Sequence, residues 1–201
     1  MSGSVGKAEQ IIAELREIIT SVFSGIDTWF AKDARLRAFR PARDEWTVDR
    51  ILEHVSLANH YLLILIDRGA RKAVKKADAK KIEQALEDYE LSNPLLEDIG
   101  INNSFEWKCP RHMAPAGSRS SEEIREELTG QKNMLLEYLV MLRNGEGALC
   151  KTTMSVHSLG KLDVYQYIYF LLKHMKRHIQ QMEGIEKEYC SRRDAEAQRK
   201  I

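Results

Sequence analysis

Cysteine is scarce in this chain: Cys109, Cys150 and Cys190 are its three. An odd number, far apart and outside any CxxC spacing, leaves neither a disulfide framework nor a zinc knuckle, and fits a reducing compartment. Net charge is nearly absent too. The 31 basic and 30 acidic residues are scattered along the sequence and sum to +1, so no basic face announces nucleic acid or an anionic membrane. No apolar run approaches the roughly 20 residues that span a bilayer, and the opening MSGSVGKAEQ has no apolar signal-peptide core. The expected protein is soluble and cytoplasmic, with no nucleic-acid or membrane partner. Sustained strand-like alternation is missing as well, and there is no internal repeat.

What the 201 residues do carry is helical periodicity, with 43% hydrophobic content, enough for one domain over 1–201 with a sizeable core. From about 4 to 33, Ile11, Leu15, Ile18, Val22 and Trp29 recur at helical intervals, broadened by Ile12, Ile19, Phe23 and Ile26. A second helix, about 47–69, starts at the N-cap Thr47 with Asp49 in its first turn. It turns Ile51, Val55, Ala58, Leu62 and Leu65 toward a core before Gly69. Arg40-Pro41 and Asp44-Glu45 mark the loop between these two. Ser120 with Glu123 forms a capping-box signature ahead of a third helix, about 120–144, with Ile124, Leu128, Leu135, Tyr138 and Leu142 on one stripe. Asp163 caps a fourth, about 163–190, which buries Val164, Ile168, Leu171, Met175, Met182 and Ile185 before the polar tail 190–201 frays.

Four helices with one apolar face each are best buried as an all-α four-helix bundle. The connection from Gly69 to Arg119 is long enough to return the chain to its starting end and set helices two and three parallel. It holds the charged stretch KAVKKADAKKIEQALEDY, expected as a small solvated helix, then a loop punctuated by Trp107, Pro110 and Pro115.

Within FLLKHMKRHIQQME, His174 and His178 are four residues apart, so both imidazoles project over one turn and can reach a common ion. Six histidines make such a pair by chance often enough that spacing alone decides nothing. Both border the apolar stripe of their helix, beside Arg177 and Gln181. His54 occupies the matching edge of the second helix, flanked by Arg50 and Tyr61. Three neutral imidazoles bind zinc, nickel or iron and leave coordination positions open. Periodicity equally allows edge histidines hydrogen-bonded across the bundle. His60 projects outward. His112 and His157 lie in loops, where surface roles are the plainer reading, although His157 could approach a site mouth. Gln131 sits on the third helix's core stripe, either as an amide donor behind the site or as a satisfied core glutamine.

The segment EWTVDRILEHVSLANHYL, with Trp46 and Thr47 opening the helix that delivers His54, resembles the first signature of the DinB/YfiT-like family of metalloenzymes. MSVHSLGKLDVYQYIYFLLKHMKRHIQQME resembles its closing block, and KCPRHMAPAGSRSSEEIREEL its proline-marked loop and third-helix start. The resemblance covers about Arg40 to Glu183. It implies a four-helix bundle in up-down-down-up order, holding one divalent transition metal on three histidines, here His54, His174 and His178. Relatives carry an acidic residue where this chain has Arg50, and Glu where it has Met175. No ligand is lost by either departure, but no role for a carboxylate transfers to those positions.

An ion on three neutral ligands keeps its full charge, so it lowers the pKa of bound water and polarises an oxygen substrate. Hydrolysis is the direct expectation. The resemblance also implies, as the alternative, transfer or isomerisation chemistry using a low-molecular-weight thiol. Arg50, Arg177 and Gln181 are the candidate cationic and amide donors for such a small-molecule substrate. A non-catalytic metal-binding bundle stays open as a third reading. So does a homodimer, though no helix face is clearly surplus to the core.

Overall fold

The apolar periodicity resolves into four long helices in the computed structural model, which describes residues 2–41 and 45–198. These are α1 (Ser2–Phe30), α3 (Val48–Lys75), α6 (Ser121–Met141) and α7 (Val164–Gln198). Shorter helices fill the connections: α2 (Ala34–Ala38), α4 (Ala79–Leu86) and α5 (Pro94–Ile99). The caps are chemical. Thr47 Oγ1 accepts from Arg50 N at 3.2 Å, Ser120 and Glu123 form both bonds of a capping box, and Asp163 Oδ1 accepts from Gln166 N at 3.0 Å. Asp44, expected in the α1–α3 connection, and residues 199–201 of the tail lie outside the described residues.

Helices α1 and α3 each pack against both α6 and α7, so four apolar stripes close on one core. Ile11, Leu15, Ile51, Val55, Leu135, Ile168 and Met175 are all essentially buried there. Two polar contacts show how α3 and α6 run. Ser56 Oγ donates to Glu127 Oε2 at 2.8 Å and, 11 residues further along each helix, Tyr138 donates to Asp67 Oδ1 at 3.0 Å.

Several local expectations shift. Leu65 is 39% exposed and Ile66, one i+4 step beyond Leu62, takes its core place, and α3 does not end at Gly69. Gly69 is itself a packing position: a Cβ there would meet Val164 Cγ2 at 3.0 Å, so the small residue lets α7 approach. The helix continues through buried Ala70 and Ala73 to Lys75, absorbing the first part of the charged stretch. The remaining α4 is not wholly solvated, since Leu86 is buried and Tyr89 just beyond it is too. Helix α7 likewise runs past residue 190 to Gln198. Arg192 there pairs with Glu188 one turn back and donates to Pro41 O at 2.9 Å. Strands β1 (Thr152–Met154) and β2 (Gly160–Leu162) form a small antiparallel pair, three residues each, too short to show alternation.

Candidate metal centre

His54 faces α7 one side chain away from the His174–His178 turn, and each of the three offers a ring nitrogen within 4.8 Å of the others. Ring centroids are 5.3 Å apart for His54 and His174, 4.8 Å for His54 and His178, and 4.5 Å for His174 and His178. All three side chains are buried. Helical spacing brings the α7 pair together, and the direct packing of α3 on α7 brings the third.

Hydrogen bonds on the far side of two rings orient them. His54 Nδ1 lies 2.8 Å from Met113 O, and a carbonyl only accepts, so Nδ1 carries the proton and Nε2 keeps its lone pair. His178 Nδ1 lies 2.9 Å from Gln181 Oε1 and donates to it in the same way. His178 Nε2 then sits 3.0 Å from His174 Nε2. Two imidazole nitrogens that close share either one proton or one cation. His174 Nδ1 is buried without a partner, so this ring has no outer hydrogen bond to set its tautomer.

Burial, the largest cause in each case, holds all three rings below the ordinary histidine range. His54 is lowered, with the Met113 carbonyl pulling the other way. His174 falls well below, pushed further by His178 and His54, and His178 drops to about 3. Near pH 7 the cluster is therefore three neutral imidazoles, the protonation state in which they ligate. The donor set fits a divalent transition metal.

The cluster opens on a cavity of about 220 Å³. Trp46 covers His54 at 4.8 Å between centroids and Trp107 covers His174 at 5.2 Å. Cys109 lines the same cavity, half-buried, its Sγ 3.7 Å from His54 Nδ1, and burial pushes its thiol pKa up. The wall is strapped down from both helices. Glu53, buried beside His54, accepts from Gly117 N at 2.7 Å and Ala116 N at 3.3 Å. Arg177 donates to Ile101 O at 2.7 Å, Ser104 Oγ at 3.2 Å and Phe105 O at 3.2 Å. Glu53→Ala removes the acceptor that holds two backbone N–H groups of exposed loop residues, a loss of about 1 kcal/mol for each hydrogen bond once water takes its place. The expected outcome is faster tryptic cleavage at the exposed Arg111 with helix content retained.

The other residues singled out from sequence are placed unequally. Arg177 and Gln181 line the cavity. His157 stacks on Phe105 at 4.1 Å, and Phe105 stacks on Trp107, which leaves His157 two rings removed from His174. Arg50 packs against Gly117, whose φ of +73° suits glycine, outside the cavity wall. Gln131 is buried, but its amide donates to Ser56 O at 2.9 Å and Glu127 Oε1 at 3.2 Å, joining α6 to α3 away from the rings. His60 and His112 are exposed, and His112 lies edge-on to Tyr61. Sequence reasoning missed the site roles of Trp46, Cys109 and the Met113 carbonyl. The first two lie in segments already marked as loops, and a backbone acceptor leaves no signature.

Comparison with known proteins bears on the same residues. A family model described as the DinB superfamily matches residues 12–182, a span that includes all three histidines. A Bacillus subtilis (strain 168) protein, described as uncharacterized protein YuaE, is 24% identical over 147 residues, 73% of this chain and 80% of its own length. No solved structure matches the chain.

Proposed function

The chain belongs to the DinB superfamily, and we propose that it is a metalloenzyme, a hydrolase that holds one divalent transition metal on His54, His174 and His178. The observation that carries this reading is the convergence of three neutral ring nitrogens, two of them oriented by outer hydrogen bonds, on a cavity wall. When bound, such an ion supplies Lewis-acid chemistry, acidifying water or a thiol and polarising a carbonyl oxygen. The chain's own residues do the rest. Met113 O and Gln181 hold the ligand rings in one tautomer, while Trp46 and Trp107 shield the cluster from bulk water. Arg177 fixes the 101–105 wall and places a positive charge beside the cavity.

A second reading, transfer to or from a low-molecular-weight thiol, has an observation in its favour. Among the described lining residues there is no carboxylate to serve as general base, and a thiol acidified by the ion needs none. The architecture we propose is a single domain over 1–201 in up-down-down-up order, supported by the parallel register of Ser56–Glu127 and Asp67–Tyr138. No helix of the described residues is long and apolar enough to cross a membrane.

Elemental analysis of purified protein, followed by calorimetric titration of metal-stripped protein with zinc, nickel and ferrous ions, tests the centre. One equivalent is expected, and no binding of any of the three would overturn it. Ester and amide panels with loaded protein, with and without small thiols, then choose between the reactions.

A further inference from the structure

We infer that the cavity beside the three histidines is built for a small carboxylate, with the carboxamide NH₂ of Gln181 as its hydrogen-bond donor and Arg177 as its fixed counter-charge. This rests on the metal reading and names the ligand class of that site.

Arg177 is the one fully charged side chain among the described lining residues, and an imidazole that holds an ion through one ring nitrogen is neutral. A divalent ion on neutral ligands keeps both its charges, so ion and guanidinium together leave three positive charges in a partly buried space with no carboxylate among the described lining residues to face them. Buried charge without a partner is costly, and the compensating negative charge has to arrive with the ligand.

Orientation supplies the donor. A metal on His178 Nε2 requires the proton on Nδ1, and that proton requires an oxygen at 2.9 Å, which is Gln181 Oε1. With the amide oxygen committed, the NH₂ end of this cavity-lining side chain is what a ligand meets. An N–H aimed beside a cation suits a carboxylate oxygen, which accepts charge-assisted bonds well, better than a thiolate. Arg177 contributes position more than reach. Its guanidinium is tied to Ile101, Ser104 and Phe105 and lies over the rings of Phe105 and Trp107, so its charge cannot swing away. Size sets the rest. About 220 Å³ lies below the roughly 300–1,000 Å³ of sites for drug-sized molecules, so the acid is short, its apolar part packed against Trp46 and Trp107.

Cobalt(II)-loaded protein, whose visible spectrum reports the coordination sphere, is titrated with acetate and propionate and, separately, with neutral propionamide. The carboxylates are expected to change the spectrum saturably and the amide to leave it unchanged. Gln181→Glu keeps an oxygen for His178 Nδ1 but loses the NH₂ donor, so it should retain cobalt while its affinity for propionate falls at least tenfold. Equal responses to propionate and propionamide, or wild-type propionate affinity in the variant, overturn the inference. Cobalt uptake with no response to any carboxylate overturns it while leaving the metal centre standing. Failure to take up cobalt removes both.

Discussion

Alanine at His54 or at His178 is expected to abolish stoichiometric metal binding while the far-UV spectrum stays that of the wild-type protein. Losing an outer hydrogen-bond partner of a metal-ligating histidine already costs about 10–100-fold in affinity, and removing a donor outright costs more. His54 is the sole donor from α3, so its loss leaves only the i, i+4 pair on α7. Both rings are buried, but at the cavity wall rather than among packed apolar side chains. Both line the cavity, which water can enter when a ring is removed, so the term for an empty apolar void largely vanishes. The folding cost then reduces to one hydrogen bond each, Met113 O for His54 and Gln181 Oε1 for His178, about 0.5–1.5 kcal/mol. Calorimetric titration reads the first effect and thermal melting of the metal-stripped proteins the second. Wild-type affinity in either variant would show that the rings converge for a structural reason alone.

The contrast between those effects follows from what periodicity can and cannot convey. An angular projection says which face of a helix a residue occupies, and this sufficed for His174, His178 and His54, all at the edge of an apolar stripe. It does not say which neighbouring element that face meets. Gln131 has the burial its stripe implies, yet it meets Ser56 and Glu127 rather than the histidines, because α6 packs on the face of α3 that carries Ser56, about 200° around the helix from His54. Leu65 shows a different error, an i+3 step where the buried stripe steps i+4 from Leu62 to Ile66. Gly69, expected to end the helix, instead lies inside it where Val164 packs. The strap over the site was least legible. Met113 reaches His54 from 59 residues away through a carbonyl, and Glu53 reaches Gly117 from 64. Such bonds depend on where a proline-marked loop settles, and neither residue type nor spacing encodes them.

Acid should unfold the metal-free protein at a pH where ordinary helical bundles of this size persist, and bound metal should move that transition to lower pH. The sign follows from where protons bind. An unfolded histidine titrates near 6.5, whereas burial holds His54, His174 and His178 lower in the fold. Above 6.5 both states are neutral and nothing is gained or lost. Below it the unfolded chain takes up protons the native state refuses, so stability falls with pH until the folded values are reached. At pH 5 each ring that remains neutral costs about 2 kcal/mol, and His174 and His178 alone account for roughly 4 of the 5–15 kcal/mol typical of a domain.

Asp163 opposes this. Its burial raises the carboxyl to about 6, so the fold binds a proton before the unfolded chain does and gains on the order of 1 kcal/mol by pH 5. Two deeply buried rings outweigh one carboxyl, and the net slope stays unfavourable. His178→Gln, neutral at every pH, removes one ring's share and should therefore raise the pH 5 stability of the metal-free protein relative to wild type, even as it weakens metal binding. Urea titrations at pH 7.5 and pH 5, with and without zinc, measure all of these terms. A metal-free wild type equally stable at both values would mean that the three imidazoles are not held neutral by burial, and the donor set would lose the protonation state that suits it to a cation.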